Sequence, residues 1–123
     1  MPSSSNRDRS FRQGMAYFGA WLVAFVFTQM VEIPIYVTGL RVSLLAAFGA
    51  SAITHPLLWF VIHPHLQLPY VWQLVVGESV VYLIETAYFA VLFRRRRAWL
   101  WAALANGASL ATGMLSRWLI GIP

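Results

Sequence analysis

The stretch Tyr70–Phe93, YVWQLVVGESVVYLIETAYFAVLF, leaves this chain few options. It is long enough to cross a bilayer as one helix, since roughly 20 residues at about 1.5 Å each span the ~30 Å hydrocarbon core. Yet it carries two carboxylates, Glu78 and Glu85, seven residues apart and therefore within about 20° of each other on a helix. Tyr82 falls between them, with Ser79 and Thr86 on its flank, while Val76, Val80, Leu83, Ile84 and Ala87 occupy the other side. The expected geometry is inverted relative to a soluble amphipathic helix, with apolar groups outward and acids inward.

A rough sum shows what the acids demand. The stretch holds twelve Leu, Ile, Val or Phe residues. They favour insertion by about 5 kcal/mol in total, and two ionised acids near the centre oppose it by about 3 kcal/mol each. Alone the helix is marginal. It needs partner helices, protonation of at least one Glu, or a bound cation.

The rest of the chain supplies the partners. Of 123 residues, 59% are hydrophobic and 11% charged, against ~25% charged in an average soluble domain. With a mean hydropathy of +0.64, one all-α membrane domain is expected. Its spans fall at about 15–37, 42–62, 70–93 and 98–120, four transmembrane helices in a compact bundle over residues 15–123. Residues 1–14 read as a disordered basic tail. The tail and the apolar run after it resemble a signal peptide, but the run is too long and no small-x-small site follows, so it is expected to stay as the first span. No cysteine is present, which excludes disulfides, thiolate metal sites and a cysteine nucleophile. The net charge of +5 comes from nine arginines and no lysine. Set beside apolar spans, they point to lipid phosphates and orientation rather than nucleic acid. Arg41 and Arg94–Arg97 mark one side, against Arg7, Arg9, Arg12 and Arg117 on the other. This small bias slightly favours both termini outside the cytoplasm and leaves the opposite orientation, or both orientations, open. The location expected is a cell membrane, crossed several times, as in a prokaryotic inner membrane.

Each span carries inward polar groups. Thr28, Gln29 and Glu32 share one side of the first, and Pro34 should bend or end that helix. A tight turn at Thr38–Arg41 leads to the second span, whose stripe is Ala47, Ser51, Thr54 and His55. His55 precedes Pro56, which leaves the carbonyl of Ala52 without its usual partner. Trp59 reads as an interfacial anchor, as do Trp99, Trp101 and Trp118 in the fourth span. That span has its own seam: Ala102, Asn106, Ser109, Gly113 and Ser116. The glycines at 19, 49, 77 and 107 read as sites of close helix approach. By depth, Glu32, Glu85 and Asn106 lie in the half nearer Arg41, and His55 and Glu78 in the other, so two sites or one elongated track could form.

The candidate site is therefore Glu32, His55, Glu78, Tyr82, Glu85, Asn106 and Ser109, supported by Gln29, Thr28, Thr54 and Arg41. Intramembrane acids mark proton or ion pathways, so a channel- or transporter-like protein handling protons, cations or a small cationic solute is the first reading. A metal-dependent or acid–base enzyme is the alternative, with Glu32, Glu78, Glu85 and His55 as ligand candidates. The di-iron Glu-x-x-His pattern is missing, and His55 alone is too few axial ligands for haem. His63-x-His65 could hold a metal at the surface. A third alternative is an accessory subunit of a membrane complex. No cofactor is required by these residues. The partners implied are the bilayer and a second copy or another membrane subunit, with no nucleic acid. No Walker loop, dinucleotide fingerprint, Ser-His-Asp order or H-E-x-x-H occurs.

The motifs EIPIY (Glu32–Tyr36), THPLLWF (Thr54–Phe60), GESVVYLIETAY (Gly77–Tyr88) and ANGAS (Ala105–Ser109) together resemble a broad set of small, uncharacterised four-span prokaryotic membrane proteins. The resemblance implies that Glu32, Pro34, Thr54, Pro56, Glu78, Glu85, Asn106 and Ser109 belong to one constellation, and it brings no activity with it. Length, four spans and an acid in the first helix are also similar to the small multidrug resistance transporters. The chain departs from them in that Glu32 lies near the exit end of its helix and the strongest acidic face is on the third.

Overall fold

The computed structural model describes residues 4–121, which are helical throughout apart from short connections, with no strand. Four helices follow in order: α1 (Ser4–Gly39), α2 (Leu44–His65), α3 (Tyr70–Leu92) and α4 (Ala98–Ile120). The first three are long and apolar enough to cross a membrane. The 23-residue α4 has the length, but its Asn106, Ser109 and Thr112 dilute its apolar content.

Two sequence expectations are corrected in α1. Residues 4–14, expected as part of a disordered tail, continue the helix toward the N-terminus, exposed along its length; residues 1–3 of that tail lie outside the described residues. No proline interrupts residues 4–14, so once the apolar span is helical each added residue costs little. Of the two outcomes expected at Pro34, a bend or an end, the end does not occur: the helix, expected to about residue 37, runs to Gly39. The Thr38 hydroxyl donates to the Pro34 carbonyl at 2.6 Å in this last turn.

The α1–α2 connection is a sharp reversal. Arg41 sits at φ 56°, in the left-handed region, and Ser43 caps α2 by accepting from the Ala46 N–H at 3.1 Å. The α3–α4 connection lies beside it and also contains a left-handed residue, Arg94 at φ 54°. Arg95 ties the two together: its Nε donates to the Leu40 carbonyl at 2.8 Å and its Nη2 to Arg41 at 3.3 Å. One of the four arginines read as topology markers therefore also holds two turns together. At the opposite end, Tyr17 of α1 donates to the Trp59 carbonyl, and Arg117 of α4 donates to the Tyr70 hydroxyl at 2.9 Å.

The four helices form a ring in which α1 packs on α2 and α4, and α3 on α4 and α2. Close approach has visible causes. A methyl added at Gly39 would overlap the Trp101 ring, and one added at Gly77 would meet Leu58 of α2. Gly49 likewise faces the Tyr88 hydroxyl, which donates to Ala46 at 3.0 Å. Gly19 and Gly107, expected to do the same, have nothing near them. Trp101, expected as an interfacial anchor, instead packs beside the core under Gly39.

Burial is inverted relative to a water-soluble protein. Leu22, Val26, Leu45, Leu83, Val91, Leu104 and Leu115 all face outward, whereas Gln29, Glu32, Ser51, Thr54, His55, Glu85 and Asn106 are buried. A continuous apolar exterior of this extent would drive aggregation in water, and it is the natural outside of a chain whose solvent is lipid. The apolar core is confined to one end, around Tyr36, Leu40, Ala47, Phe89, Ala98 and Ala102. It closes the ring on the side of the Arg41 and Arg95 turns.

Candidate functional site

Above that plug the ring is hollow. A cavity of about 530 Å³ runs from Glu32, Glu85 and Asn106 at its floor to Tyr70, His63 and Arg117 at its mouth. The floor is organised around Glu85, which is 1% exposed. One carboxylate oxygen accepts from the Tyr36 hydroxyl and from the Asn106 amide at 3.1 Å. The other accepts from the Thr54 hydroxyl at 2.7 Å. Each donor comes from a different helix, so this one carboxylate ties α1, α2 and α4 to α3. The donors are themselves held. Tyr36 lies against Phe89, ring centroids 4.4 Å apart, and Asn106 also donates to the Ala102 carbonyl at 2.9 Å.

Glu32, 2% exposed, accepts from the Ser51 hydroxyl at 2.8 Å. On the cavity side, Thr28 bridges His55, at 3.4 Å from Nε2, and Ser109, at 3.5 Å. His55 is 8% exposed and its Nδ1 has no partner. Pro56 follows, and from Leu58 to Ile62 the helix widens into π-type turns closed by the His63 N–H to the Leu58 carbonyl. In a regular helix His63 would stand about 80° round from His55. The slower winding of wide turns brings it back, so His55, Trp59 and His63 all face the cavity, with Trp59 and His63 stacked within 8° of parallel.

Glu78 is the exception among the acids. It lines the cavity between floor and mouth, half-buried, and no hydrogen bond or ion pair engages it among the described residues. Glu85 has three donors on its two oxygens, and Glu32 is engaged by Ser51. A carboxylate in a largely apolar wall with no partner is the acid in this cavity that is available to a solute.

Most of the expected constellation thus converges: Glu32, His55, Glu78, Glu85, Asn106 and Ser109, with Thr28 and Thr54, line one cavity rather than two sites. Tyr82 does not. It stands about 40° from Glu78 and Val81 about 60° the other way, and the cavity lies on the Val81 side. Tyr82 packs against the apolar plug instead. Ser79 is exposed and donates back to the Val75 carbonyl at 2.6 Å. Arg41 is likewise outside, exposed in the turn below the plug. Gln29 turns toward α2 and donates to the Phe48 carbonyl at 3.2 Å. Trp59, expected as an interfacial anchor, lines the cavity wall.

Among the described residues no three His, Asp or Glu side chains converge as a metal set, so Glu32, Glu78, Glu85 and His55 do not form one. His63 and His65 also part company, since His65 Nδ1 lies 2.6 Å from the Val61 carbonyl and only His63 faces the cavity.

One member was missed by sequence reasoning. Tyr36 was visible only as part of the EIPIY motif, although it sits four residues after Glu32 and so on the same face. Ser51, in the inward stripe of the second span but not in the candidate site, is the partner of Glu32.

No family model matches this chain. No curated protein and no solved structure matches it significantly either.

Proposed function

We propose that this chain is an integral membrane protein of four spans, a four-helix transmembrane bundle crossing a prokaryotic cell membrane. Its cavity takes a small cation or cationic solute from one side as part of transport. The observation that carries the reading is the contrast between Glu85, whose oxygens are both engaged, and Glu78, which faces the same cavity unengaged. Acids inside membrane spans are unfavourable unless paired, and a cation supplies the missing partner. Trp59, Tyr70 and Phe27 line the same cavity, and aromatic faces attract cations.

The plug around Tyr36 and Phe89 favours a carrier over an open pore, because release on the other side requires that end to open. The backbone carbonyl freed by Pro34 and the π-type turns in α2 and α3 are where helices give most readily. Lipid is the first partner, and a second copy or another membrane subunit can dock on the apolar exterior.

The test is uptake of organic ammonium ions into vesicles containing the purified protein, alongside binding in detergent. Glu78→Gln is expected to lower both by about tenfold or more, the scale of one lost charge-assisted hydrogen bond. Glu85→Gln should leave binding within about threefold, since that carboxylate holds the floor rather than the solute. Unchanged binding and uptake in Glu78→Gln would refute the proposal.

A further inference from the structure

The cavity does not carry one sign of charge. Glu78 stands in its wall, and Arg117 is the one guanidinium that lines it, at the mouth. Among the described residues the two are not paired, with each other or with any other charge. Arg117 gives one N–H to the Tyr70 hydroxyl at 2.9 Å and lies 5.4 Å from the centre of that ring. This fixes the guanidinium at the level of Tyr70 and leaves other donors free, since Arg has five. Two opposite charges in one cavity that do not neutralise each other are placed to bind the two ends of something else.

Helix geometry sets the spacing. Tyr70 and Glu78 are eight residues apart on α3, about 12 Å along its axis. A charged hydrogen bond takes up about 3 Å at each end. About 6 Å remains between the solute's two charged groups, the length of a short alkyl chain. What lines the interval suits such a chain. Leu74 is midway between Tyr70 and Glu78 on α3, and Leu110 and Met114 face it from α4. The unpartnered Nδ1 of the buried His55 adds a polar group with no protein partner in the same cavity wall.

We propose that the solute is a dipolar ion, an ammonium and a carboxylate-like anion joined by a short apolar linker. Its ammonium meets Glu78 and its anion meets Arg117. This rests on the reading of the cavity as a cation site and narrows it, excluding simple amines and anions as the preferred occupants.

The experiment is calorimetric titration of the full-length protein in detergent with three five-carbon probes: δ-aminovalerate, pentylamine and valerate. The wild-type chain should bind δ-aminovalerate about tenfold or more tighter than pentylamine, and valerate not measurably. Arg117→Gln should bring the two amines to equal affinity with pentylamine binding not weakened, which also shows that the variant is folded. Arg117→Lys should keep the preference in part, and Glu78→Gln should lose both amines. Equal binding of the two amines by wild type would overturn the dipolar inference and leave the cation reading standing. Preference retained in Arg117→Gln would also overturn it, making Arg117 a headgroup anchor. Binding of neither amine would remove the cation reading itself.

Discussion

Replacing Glu85 tests whether the floor of the cavity is held by a hydrogen-bonded carboxylate, and two substitutions there should behave very differently. Glu85→Ala removes the acceptor for three donors. Thr54 has a fallback, since its hydroxyl lies 3.1 Å from the Ala50 carbonyl, and Asn106 keeps its bond to Ala102. Tyr36 has none of comparable quality. It is fully buried, and the other hydrogen-bond contact of its hydroxyl is the Asn106 amide, itself a donor at 3.5 Å. Leaving that hydroxyl without an acceptor costs about 1–3 kcal/mol. The other two lost bonds add about 0.6 kcal/mol each on the scale measured between membrane helices. The expected loss is thus about 2–4 kcal/mol. Glu85→Gln can keep the network. The amide oxygen accepts from Tyr36 and Asn106, the amide N–H₂ donates to the Thr54 oxygen, and Thr54 turns its own proton to Ala50. The expected loss is under about 1 kcal/mol. Unfolding by SDS titration in mixed micelles, with helicity as the readout, measures both. A Gln variant as damaged as the Ala variant would refute the network as described, and so would an Ala variant of wild-type stability.

Other substitutions test the packing and the turns. Gly39→Ala drives a methyl into the Trp101 ring and should lower stability by about 1–3 kcal/mol, whereas Gly19→Ala meets open space and should be neutral or gain up to about 1 kcal/mol in helix propensity; thermal unfolding in detergent compares them. Arg41→Gly removes a side chain from a left-handed position and should raise stability by about 0.5–1 kcal/mol in the same assay. Arg95→Ala frees the Leu40 and Arg41 carbonyls and should speed hydrogen exchange at both turns without weakening solute binding at the far end of the cavity.

The sequence made the inward acids legible because lipid leaves so few explanations for them. Glu78 and Glu85 in one apolar span, seven apart, had to face other helices, and Asn106 and Thr54 were the obvious groups to meet them. Which acid would be engaged was not legible. That depends on the ring placing Tyr36 across from Glu85, and a tyrosine in an apolar run reads equally well as an interfacial anchor. Tyr82 was misplaced for a related reason. Periodicity put both flanks of the Glu78–Glu85 line within reach of the interior, and only the packing of α3 on α4 and α2 chose the Val81 side. Trp59 stands only about 40° from His55 even at a fixed 3.6-residue period, so its inward face was open to periodicity and was overridden by its place near the exit end. What that fixed period could not anticipate was His63, brought round by the π-type turns after Pro56. The helix over residues 4–14 was missed because polar composition was read as disorder, although nothing in those residues breaks a helix begun in the span beside them.

The central claim is that the Glu78 face of α3 lines a water-accessible cavity while the opposite face meets lipid. Because the chain has no cysteine, single cysteines at position 78 and at position 83, where Leu83 is 63% exposed, can be reacted with a charged, membrane-impermeant thiol reagent in native membranes. The account predicts rapid labelling at 78, from one side of the membrane only, and no labelling at 83. Rapid labelling at 83 with protection at 78 would contradict it.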